Sequence, residues 1–276
     1  MRASVAEARR EDLRGGFVPT MGALHRGHLS LVERARREAD VVVMSIFVNP
    51  LQFGPGEDFN RYPRPIEADA QSAADAGVDI LFTPSPDEMY RDGRVTMVSA
   101  GDRGRLWEGE IRPGHFDGVL TVVVKLFNIV QPDVAVFGRK DLQQAALIKA
   151  MVRDLDFPLA VAVAPIVRED DGLALSSRNS YLSADDRAHA LALIRSLRAA
   201  SAAFDGGERD ARRLEEVGRK IFETVPAAKL EYFAVVNADS LAQAAQAAGG
   251  SAVIVAARFG ATRLIDNIIL GENDQD

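Results

Sequence analysis

The chain has 276 residues, of which 47% are hydrophobic and 26% charged, a composition typical of a globular protein with about two domains. It contains no cysteine, which excludes disulfides, thiolate nucleophiles and cysteine-ligated metal sites. The formal net charge of −7 argues against a nucleic-acid or anionic-membrane binder, so an anionic ligand would need a local group of positive charges.

The N-terminal region carries charges of both signs and has no apolar stretch like that of a signal peptide. Apolar runs such as Val41–Val48 are much shorter than the roughly 18 residues that a membrane span needs. We therefore expect a cytoplasmic protein without a membrane segment.

Residues 1–166 are predicted to form a Rossmann-like domain, because short β-branched runs alternate with helical patterns as in a parallel sheet covered on both faces. The predicted strands are Phe17–Thr20, Val41–Val48, Ile80–Thr83, Val134–Phe137 and Leu159–Ala164. The predicted helices are Leu29–Glu38, Ile66–Ala76, Val119–Val130 and Leu142–Asp154. The predicted fold class is therefore α/β.

Residues 167–276 are predicted to form a smaller C-terminal α+β domain that serves as a lid over a nucleotide. A polar stretch is followed by a long helix from 184 to 204, a Gly206-Gly207 break, a second helix and three strands. The predicted strands are 230–236, 252–257 and 264–268. The Ala-rich stretch 240–250 is interpreted as a helix that ends at a glycine pair.

In the stretch Phe17–His28, a short strand runs through a glycine-containing turn into an amphipathic helix. Phosphates bind at such places because the helix start presents free N–H groups and a positive dipole end. The common glycine-rich phosphate motifs are absent from the sequence. Instead, His25-x-Gly27-His28 places two imidazoles on one helical face, where neutral rings can donate hydrogen bonds to the phosphoryl oxygens of ATP.

Other polar residues have two possible interpretations when taken alone. Lys140 follows a predicted parallel strand and could reach a phosphate, although its turn also fits a plain helix start capped by Asp141. The loop 175–179 offers two hydroxyls and a guanidinium for a triphosphate, or it is simply a linker. The amides of Gln52 and Gln144 can bind a hydroxyl or a carboxylate oxygen, but a lone glutamine more often faces solvent.

His25-x-Gly27-His28 resembles the signature of the adenylyl-transferring superfamily that includes class I aminoacyl-tRNA synthetases and small nucleotidyltransferases. The longer string VPTMGALHRGHLSLV, residues 18–32, resembles the pantoate–β-alanine ligase family. Four further stretches resemble that family in the same order, so the resemblance covers nearly the whole chain. They are residues 49–64, 114–144, 168–182 and 230–241.

The resemblance implies ATP as a substrate bound by three segments. The residues are Met21, Gly22, His25, Gly27 and His28 in the first, Gly138, Lys140 and Asp141 in the second, and Val167, Leu175, Ser176, Ser177 and Arg178 in the third. Leu175 stands where the family usually has Met, a volume-conserving change. The residues expected to be catalytic are His25, His28, Lys140 and Arg178, and the family assigns proton handling to His28.

The resemblance also implies the residues that bind the small substrates. Gln52 is expected to bind pantoate and β-alanine and Gln144 to bind pantoate, with Asn49 and Tyr62 beside them. Mg²⁺ is expected, because it commonly bridges phosphates while it takes one or two carboxylates. Asp69 follows the Tyr-Pro-Arg motif and is the predicted metal ligand. His115 receives no role.

The implied reaction is ATP-dependent condensation of (R)-pantoate with β-alanine to pantothenate, AMP and pyrophosphate through an enzyme-bound pantoyl adenylate, carried out by a homodimer. One alternative is a nucleotidyltransferase that acts on a phosphate-bearing substrate, which would need further basic residues. A second is an inactive nucleotide-binding homologue. A tRNA synthetase fragment is disfavoured by the acidic charge.

Overall fold

The structure, a computed structural model, describes residues 1–272. The chain divides into two compact units, one built from Met1–Gly138 and Leu147–Ala164, the other from Arg139–Ala146 and the chain from Pro165 onward. The short segment Arg139–Ala146 thus groups with the second unit, although the first unit surrounds it in sequence. The predicted domain division at residue 166 stays a prediction.

Within the described residues, the first unit contains a five-stranded parallel sheet. Its strands are Gly15–Thr20 (β1), Val41–Ile46 (β2), Ile80–Phe82 (β3), Val134–Gly138 (β4) and Ala160–Ala164 (β5). The helices of this stretch are Arg2–Arg10 (α1), Arg26–Arg36 (α2), Ile66–Asp75 (α3), Pro86–Met89 (α4), Glu108–Ile111 (α5), His115–Val130 (α6) and Leu142–Asp154 (α7).

The strand order β3-β2-β1-β4-β5 makes β1 the central strand, and each pair of neighbours is parallel. The α/β, Rossmann-like class is therefore confirmed. Because the chain runs outward from β1 in one direction and from β4 in the other, the carboxyl ends of β1 and β4 form the topological switch point where open α/β sheets bind ligands.

Helices cover the sheet of the first unit, which explains why β2 is almost continuously apolar and buried. Phe17 of β1 is fully buried and packs edge-to-face on Phe127 of α6, with ring centroids 6.4 Å apart. Val18, Val42 and Val136 pack with α2 in a separate cluster. This packing fixes the position of the turn that follows β1.

The second unit contains a three-stranded antiparallel sheet in the order β6-β7-β8, as far as the structure describes the chain. Its strands are Ala228–Asn237 (β6), Ser251–Phe259 (β7) and Thr262–Ile269 (β8), and its helices are Ala184–Ala190 (α8), Ala192–Asp205 (α9) and Ala211–Glu223 (α10). Gly218 of α10 faces the Phe233 ring of β6, where an added Cβ would lie 2.1 Å from Cζ. The smaller α+β part of the fold prediction is thus confirmed.

Two predicted helices of the C-terminal half are wrong. The long helix from 184 to 204 is divided at Leu191, although neither glycine nor proline marks the break. The Ala-rich stretch 240–250 is irregular, because its backbone groups bond to neighbouring segments instead of to each other. The Ala244 N–H donates to the Val235 carbonyl, and the Ala245 carbonyl accepts from the Ala211 N–H.

Among residues 1–272, no helix combines the length and the apolar character that crossing a bilayer would require.

Candidate functional site

The turn between β1 and α2 holds the two histidines at the carboxyl end of the central strand. His25 is the N-cap residue of α2, and its Nδ1 accepts a hydrogen bond from the Gly27 N–H at 3.1 Å. Nδ1 of His28 accepts from the His25 N–H at 3.3 Å, and the two ring centroids are 4.0 Å apart. In a neutral ring an accepting Nδ1 leaves the proton on Nε2, so both imidazoles carry an Nε2–H donor.

This tautomer bears on the chemistry of His28. An Nε2–H can donate to an anionic oxygen without any proton transfer, which suits stabilisation of a phosphoryl group. The same atom offers no lone pair to a proton while the ring is neutral in this form. The geometry therefore favours the donor role of His28, and the proton-handling role stays a prediction.

Asp69 of α3 holds the turn between β1 and α2 by hydrogen bonds. Only 3% of Asp69 is exposed, and its two carboxylate oxygens accept hydrogen bonds from the N–H groups of Ala23 and Leu24, both at 2.8 Å. Gly22 has φ +87°, and an added Cβ there would lie 2.9 Å from Asp69 Oδ2. A glycine is thus required where the carboxylate approaches the backbone.

The predicted metal site receives no support from this arrangement. Both oxygens of Asp69 are engaged by backbone N–H groups, and a resident cation would have to compete with them. Among residues 1–272 no group of three or more histidine, aspartate or glutamate side chains is arranged to hold a metal ion. The described residues therefore show no centre of three such ligands, Asp69 anchors the turn, and its role as a metal ligand stays a prediction.

A second cluster follows β2 and contains the predicted small-substrate residues Asn49 and Gln52. Both are buried, with 1% and 8% exposure, on the short 3₁₀ turn Pro50–Gln52 and its N-cap. Asn49 Nδ2 donates to Gln52 Oε1 at 3.0 Å, and Gln52 Nε2 donates to Met21 Sδ at 3.1 Å. These contacts join Met21 of the histidine turn to Asn49 and Gln52.

The orientation of both amides in this cluster is determined by the Leu51 N–H, which donates to Asn49 Oδ1 at 3.2 Å, and by the Gly118 carbonyl, which accepts from Asn49 Nδ2. The Tyr90 hydroxyl then donates to Asn49 Oδ1 at 2.7 Å, and Asn49 Nδ2 donates to Gln52 Oε1. Gln52 therefore directs its NH₂ group away from Asn49, toward Met21. Burial raises the pKa of the Tyr90 hydroxyl, so this donor keeps its proton throughout the neutral range.

Gly118 of α6 allows the helix to contact this turn at backbone distance. An added Cβ at Gly118 would lie 2.2 Å from the Leu51 carbonyl oxygen, and the Gly118 carbonyl accepts from Asn49 Nδ2 at 3.1 Å. Tyr62 is also buried, and its ring packs edge-to-face on Phe53, at 6.2 Å between centroids.

His115, to which the sequence gives no role, is the first residue of α6 and supports Gln52 from the other side. Its Nδ1–H donates to the Gln52 carbonyl at 2.8 Å, so Nε2 accepts from Arg112 Nη1 at 3.1 Å. Arg112 also forms a two-pronged ion pair with Glu57, at 2.9 and 2.6 Å. Burial would raise the pKa of Glu57, but pairing with Arg112 holds it below its usual value.

The free energy of unfolding is expected to fall as the pH is lowered, because His115 takes up a proton more readily in the unfolded chain than in the folded protein. Burial of the ring, together with the nearby Arg112 charge, lowers the pKa of His115 to about 4. His115 binds a proton near pH 6.5 in the unfolded chain and only near pH 4 in the folded protein. The free energy of unfolding should therefore decline as the pH is lowered from about 6.5 to about 4. Denaturant unfolding at about pH 7.5, 6 and 5 measures the decline.

The matched variant is His115→Asn, which keeps a donor for the Gln52 carbonyl. The decline should be smaller in this variant than in the wild type. If the free energy of unfolding depends on pH equally in the wild type and in His115→Asn, the decline cannot be due to His115.

Lys140 and Asp141 lie in a 3₁₀ turn, Arg139–Asp141, that follows Gly138 at the end of β4. Lys140 Nζ lies 3.6 Å from Asp141 Oδ1, and the lysine side chain is 20% exposed. Gln144 is half-buried in the first turn of α7. These three predicted residues thus lie on consecutive turns of one segment, in the second unit.

The remaining predicted nucleotide residues lie on a small hairpin and the turn after it. The Leu175 N–H donates to the Val167 carbonyl at 3.0 Å, and Arg168 pairs with Ala174. Ser176 caps the following 3₁₀ turn, which holds Ser177 and Arg178, by accepting from the Arg178 N–H at 3.2 Å. Ser183 caps α8.

The hairpin and the turn are braced by Glu169, which lies in the stretch 168–182 but receives no role from the sequence. Its carboxylate accepts from Asn179 Nδ2 at 2.7 Å and from Arg187 Nη2 at 2.9 Å. Arg168 forms a bidentate ion pair with Asp266 of β8, at 2.7 and 3.1 Å. Motif analysis does not find Asp266 as a partner, because this buried residue is far from the segment in sequence.

Comparison with known proteins gives one consistent result. The family model described as pantoate-beta-alanine ligase matches residues 1–269. A pantothenate synthetase of Moorella thermoacetica is 52% identical over 99% of this chain and 97% of its own length, and one of Acidobacterium capsulatum is 54% identical over 93% and 86%.

Solved structures agree with the sequence relatives. The pantothenate synthetase of Thermus thermophilus is 50% identical and superimposes with a TM-score of 0.91 over 96% of this chain and 97% of that one. A pantoate-beta-alanine ligase from Francisella tularensis, complexed with beta-gamma ATP and beta-alanine, is 37% identical with a TM-score of 0.80 over 99% and 97%.

Proposed function

Because the chain belongs to the pantoate–β-alanine ligase family, we propose that it joins (R)-pantoate to β-alanine with ATP, through an enzyme-bound pantoyl adenylate. The observation that carries this proposal is the histidine turn. It lies at the carboxyl end of the central strand of a parallel sheet and carries two Nε2–H donors at a helix start.

In the first half-reaction, a pantoate carboxylate oxygen attacks the α-phosphorus of ATP and the bond to pyrophosphate breaks. A carboxylate is already a nucleophile, so this step needs positioning and charge stabilisation but no general base. We assign the hydrogen bonds to the phosphates to His25 and His28 and the positive charges to Lys140 and Arg178. Gly27 and Gly138 leave the backbone accessible to the nucleotide.

In the second half-reaction, the β-alanine amine attacks the acyl carbon of pantoyl adenylate, AMP leaves with the electron pair of the broken bond, and the amine loses a proton. The family relationship assigns this proton to His28, although the tautomer of His28 favours donation to a phosphoryl oxygen. The Francisella tularensis ligase is described with an ATP compound and beta-alanine, which supports both as substrates here.

Magnesium is best treated as part of the substrate. The described residues lack a three-ligand cluster, and Asp69 is occupied by the turn that it supports. Mg²⁺ commonly keeps most of its waters and binds substrate phosphates in enzymes of this kind. We therefore propose that it enters as Mg·ATP.

A pyrophosphate-release assay with ATP and each candidate acid tests the function. We expect release with pantoate alone, and AMP with pantothenate only after β-alanine is added. Pyrophosphate release that requires a phosphate-bearing substrate instead of pantoate, or a stable dinucleotide product, would contradict the proposal and favour a nucleotidyltransferase.

Gln52→Ala is expected to raise the KM for pantoate by at least about tenfold, because a buried hydrogen bond to a charged group is lost. The KM for ATP should change little, since Gln52 belongs to the Asn49 cluster. Gln71→Ala removes an exposed amide from α3 of the same unit and serves as the control. Steady-state kinetics with each substrate varied give both constants, and an unchanged pantoate KM would refute the role of Gln52.

A homodimer follows from the family resemblance and a cytoplasmic location from the N-terminal region and the short apolar runs, and both stay predictions. Sedimentation equilibrium of the purified protein would measure its mass in solution against the 29.9 kDa of the chain.

A further inference from the structure

The turn that carries Lys140 is attached to β8 by a single buried side chain. Asn267 is 2% exposed, and its Nδ2 donates to two consecutive carbonyls, those of Arg139 at 2.9 Å and Lys140 at 3.0 Å. Both carbonyls belong to the 3₁₀ turn Arg139–Asp141. One amide group therefore fixes two successive peptide units of the segment that presents the lysine.

Core packing does not explain an asparagine at this position. The neighbours on β8, Ile268 and Ile269, are buried and apolar, and Asn267 Oδ1 has no hydrogen-bond partner within the described residues. A buried amide with one unsatisfied atom costs free energy that an apolar residue would avoid. The two hydrogen bonds to the Arg139 and Lys140 carbonyls offset this cost.

The strand itself is braced at the same point. Asp266 is 2% exposed and forms the bidentate ion pair with Arg168, whose Nη2 also donates to the Asn267 carbonyl at 3.3 Å. The Asn267 N–H donates to Asp266 Oδ1 at 2.8 Å. Two charged side chains, Arg168 and Asp266, therefore hold the backbone of Asn267, and its side-chain amide bonds to the lysine turn.

We propose that Asn267 is a positioning residue for Lys140: by fixing the carbonyls of Arg139 and Lys140, it holds the lysine ammonium where it can bind the phosphates of the nucleotide. This inference rests on the proposed function, which assigns Lys140 to ATP. Asn267 lies outside every segment that the sequence motifs point to for nucleotide binding, and it acts through the main chain of the turn.

The near-isosteric variant Asn267→Asp replaces the two donated hydrogens by an oxygen that faces two carbonyl oxygens. Because displacements of about 1 Å at a reacting group cost up to roughly a hundredfold in rate, we expect kcat/KM for ATP to fall by about tenfold or more. The KM for pantoate should stay within about twofold of wild type, because Asn267→Asp removes no contact that the proposed function assigns to pantoate. Asn237→Asp is the control, because the Oδ1 of this exposed residue accepts hydrogen bonds from the Asp239 and Ser240 N–H groups and an aspartate oxygen can do the same.

A double-mutant cycle separates positioning from general destabilisation. If Asn267 acts through Lys140, Asn267→Ala should slow adenylation in the wild-type background and have almost no further effect in Lys140→Ala. Additive losses, or equal losses for ATP and pantoate, would overturn the inference. Thermal unfolding of each variant identifies any that do not fold, and Asn267→Ala then replaces Asn267→Asp.

Calorimetric titration with ATP alone measures ATP affinity without turnover, so it tests the role of Asn267 independently of the proposed reaction. Weaker ATP binding by Asn267→Asp than by Asn237→Asp supports the positioning role even for a protein that releases no pyrophosphate with pantoate, an outcome that refutes only the proposed function. Equal ATP binding by the two variants overturns the positioning role.

Discussion

Replacing Lys140 by alanine is expected to slow pyrophosphate release with pantoate by about 10²–10³-fold, the usual effect of removing one group that stabilises charge at the reacting centre. The side chain is only 20% exposed, its Nζ lies 3.6 Å from Asp141 Oδ1, and its charge also acts on the buried Asp266 carboxylate. Single-turnover measurement of adenylate formation isolates this step from the later attack of the amine.

The control for this variant is Lys149→Ala, which removes an exposed lysine from α7 of the same segment of chain. It should release pyrophosphate at the wild-type rate, with an unchanged unfolding temperature. A Lys140→Ala enzyme that matches Lys149→Ala would remove Lys140 from the mechanism and leave Asp141 as an ordinary first-turn residue.

The second large effect is expected at His28, where two substitutions separate the two ring nitrogens. His28→Asn retains an oxygen that can accept the His25 N–H but has no group at the position of Nε2. His28→Gln reaches the position of Nε2 with an amide donor but loses the acceptor. If the Nε2–H stabilises a phosphoryl oxygen, His28→Asn should lose about 10²–10³-fold in adenylation and His28→Gln distinctly less.

The opposite order would show that His28 matters chiefly for capping α2. In that case the variants should also differ in unfolding temperature, because the cap contributes to helix stability. His189→Gln, which changes a histidine of α8 in the second unit, is the control and should keep wild-type activity. Pyrophosphate release that is normal in His28→Asn but stops before pantothenate forms would restore the proton-handling role.

Hydrophobic patterns and contiguous motifs predicted the fold class and the candidate site segments. The alternation of apolar runs with helical spacing indicated a parallel sheet, because burial on both faces leaves a local record in each strand. His25, Gly27 and His28 follow one another in a single turn, so their geometry is largely set by nearest-neighbour hydrogen bonds. Family membership rests on several such motifs in order, and the comparisons confirm it.

The prediction failed where distant hydrogen bonds override local preference. The Ala-rich stretch 240–250 has high helix propensity, yet its backbone bonds to Val235 and Ala211, and Leu241 adopts φ +63°. Asp69 is predicted to bind a metal, a role that stays a prediction, and its support of the histidine turn had no sequence signal. Its contacts with Ala23 and Leu24 cross more than forty residues, and no pattern near Asp69 announces them.

By itself, the sequence determined the family, the α/β class and the segments that carry the histidines, Lys140 and Gln52, because each depends on residues adjacent in the chain or on regular periodicity. Only the tertiary structure decided which atoms these residues present. The tautomers of His25 and His28 and the amide orientation of Gln52 depend on individual hydrogen bonds between near neighbours, whereas the attachment of the Lys140 turn to Asn267 depends on two long-range ones. A hydrogen bond between residues more than a hundred positions apart leaves no periodic trace in either segment, so it is known only once the chain is folded.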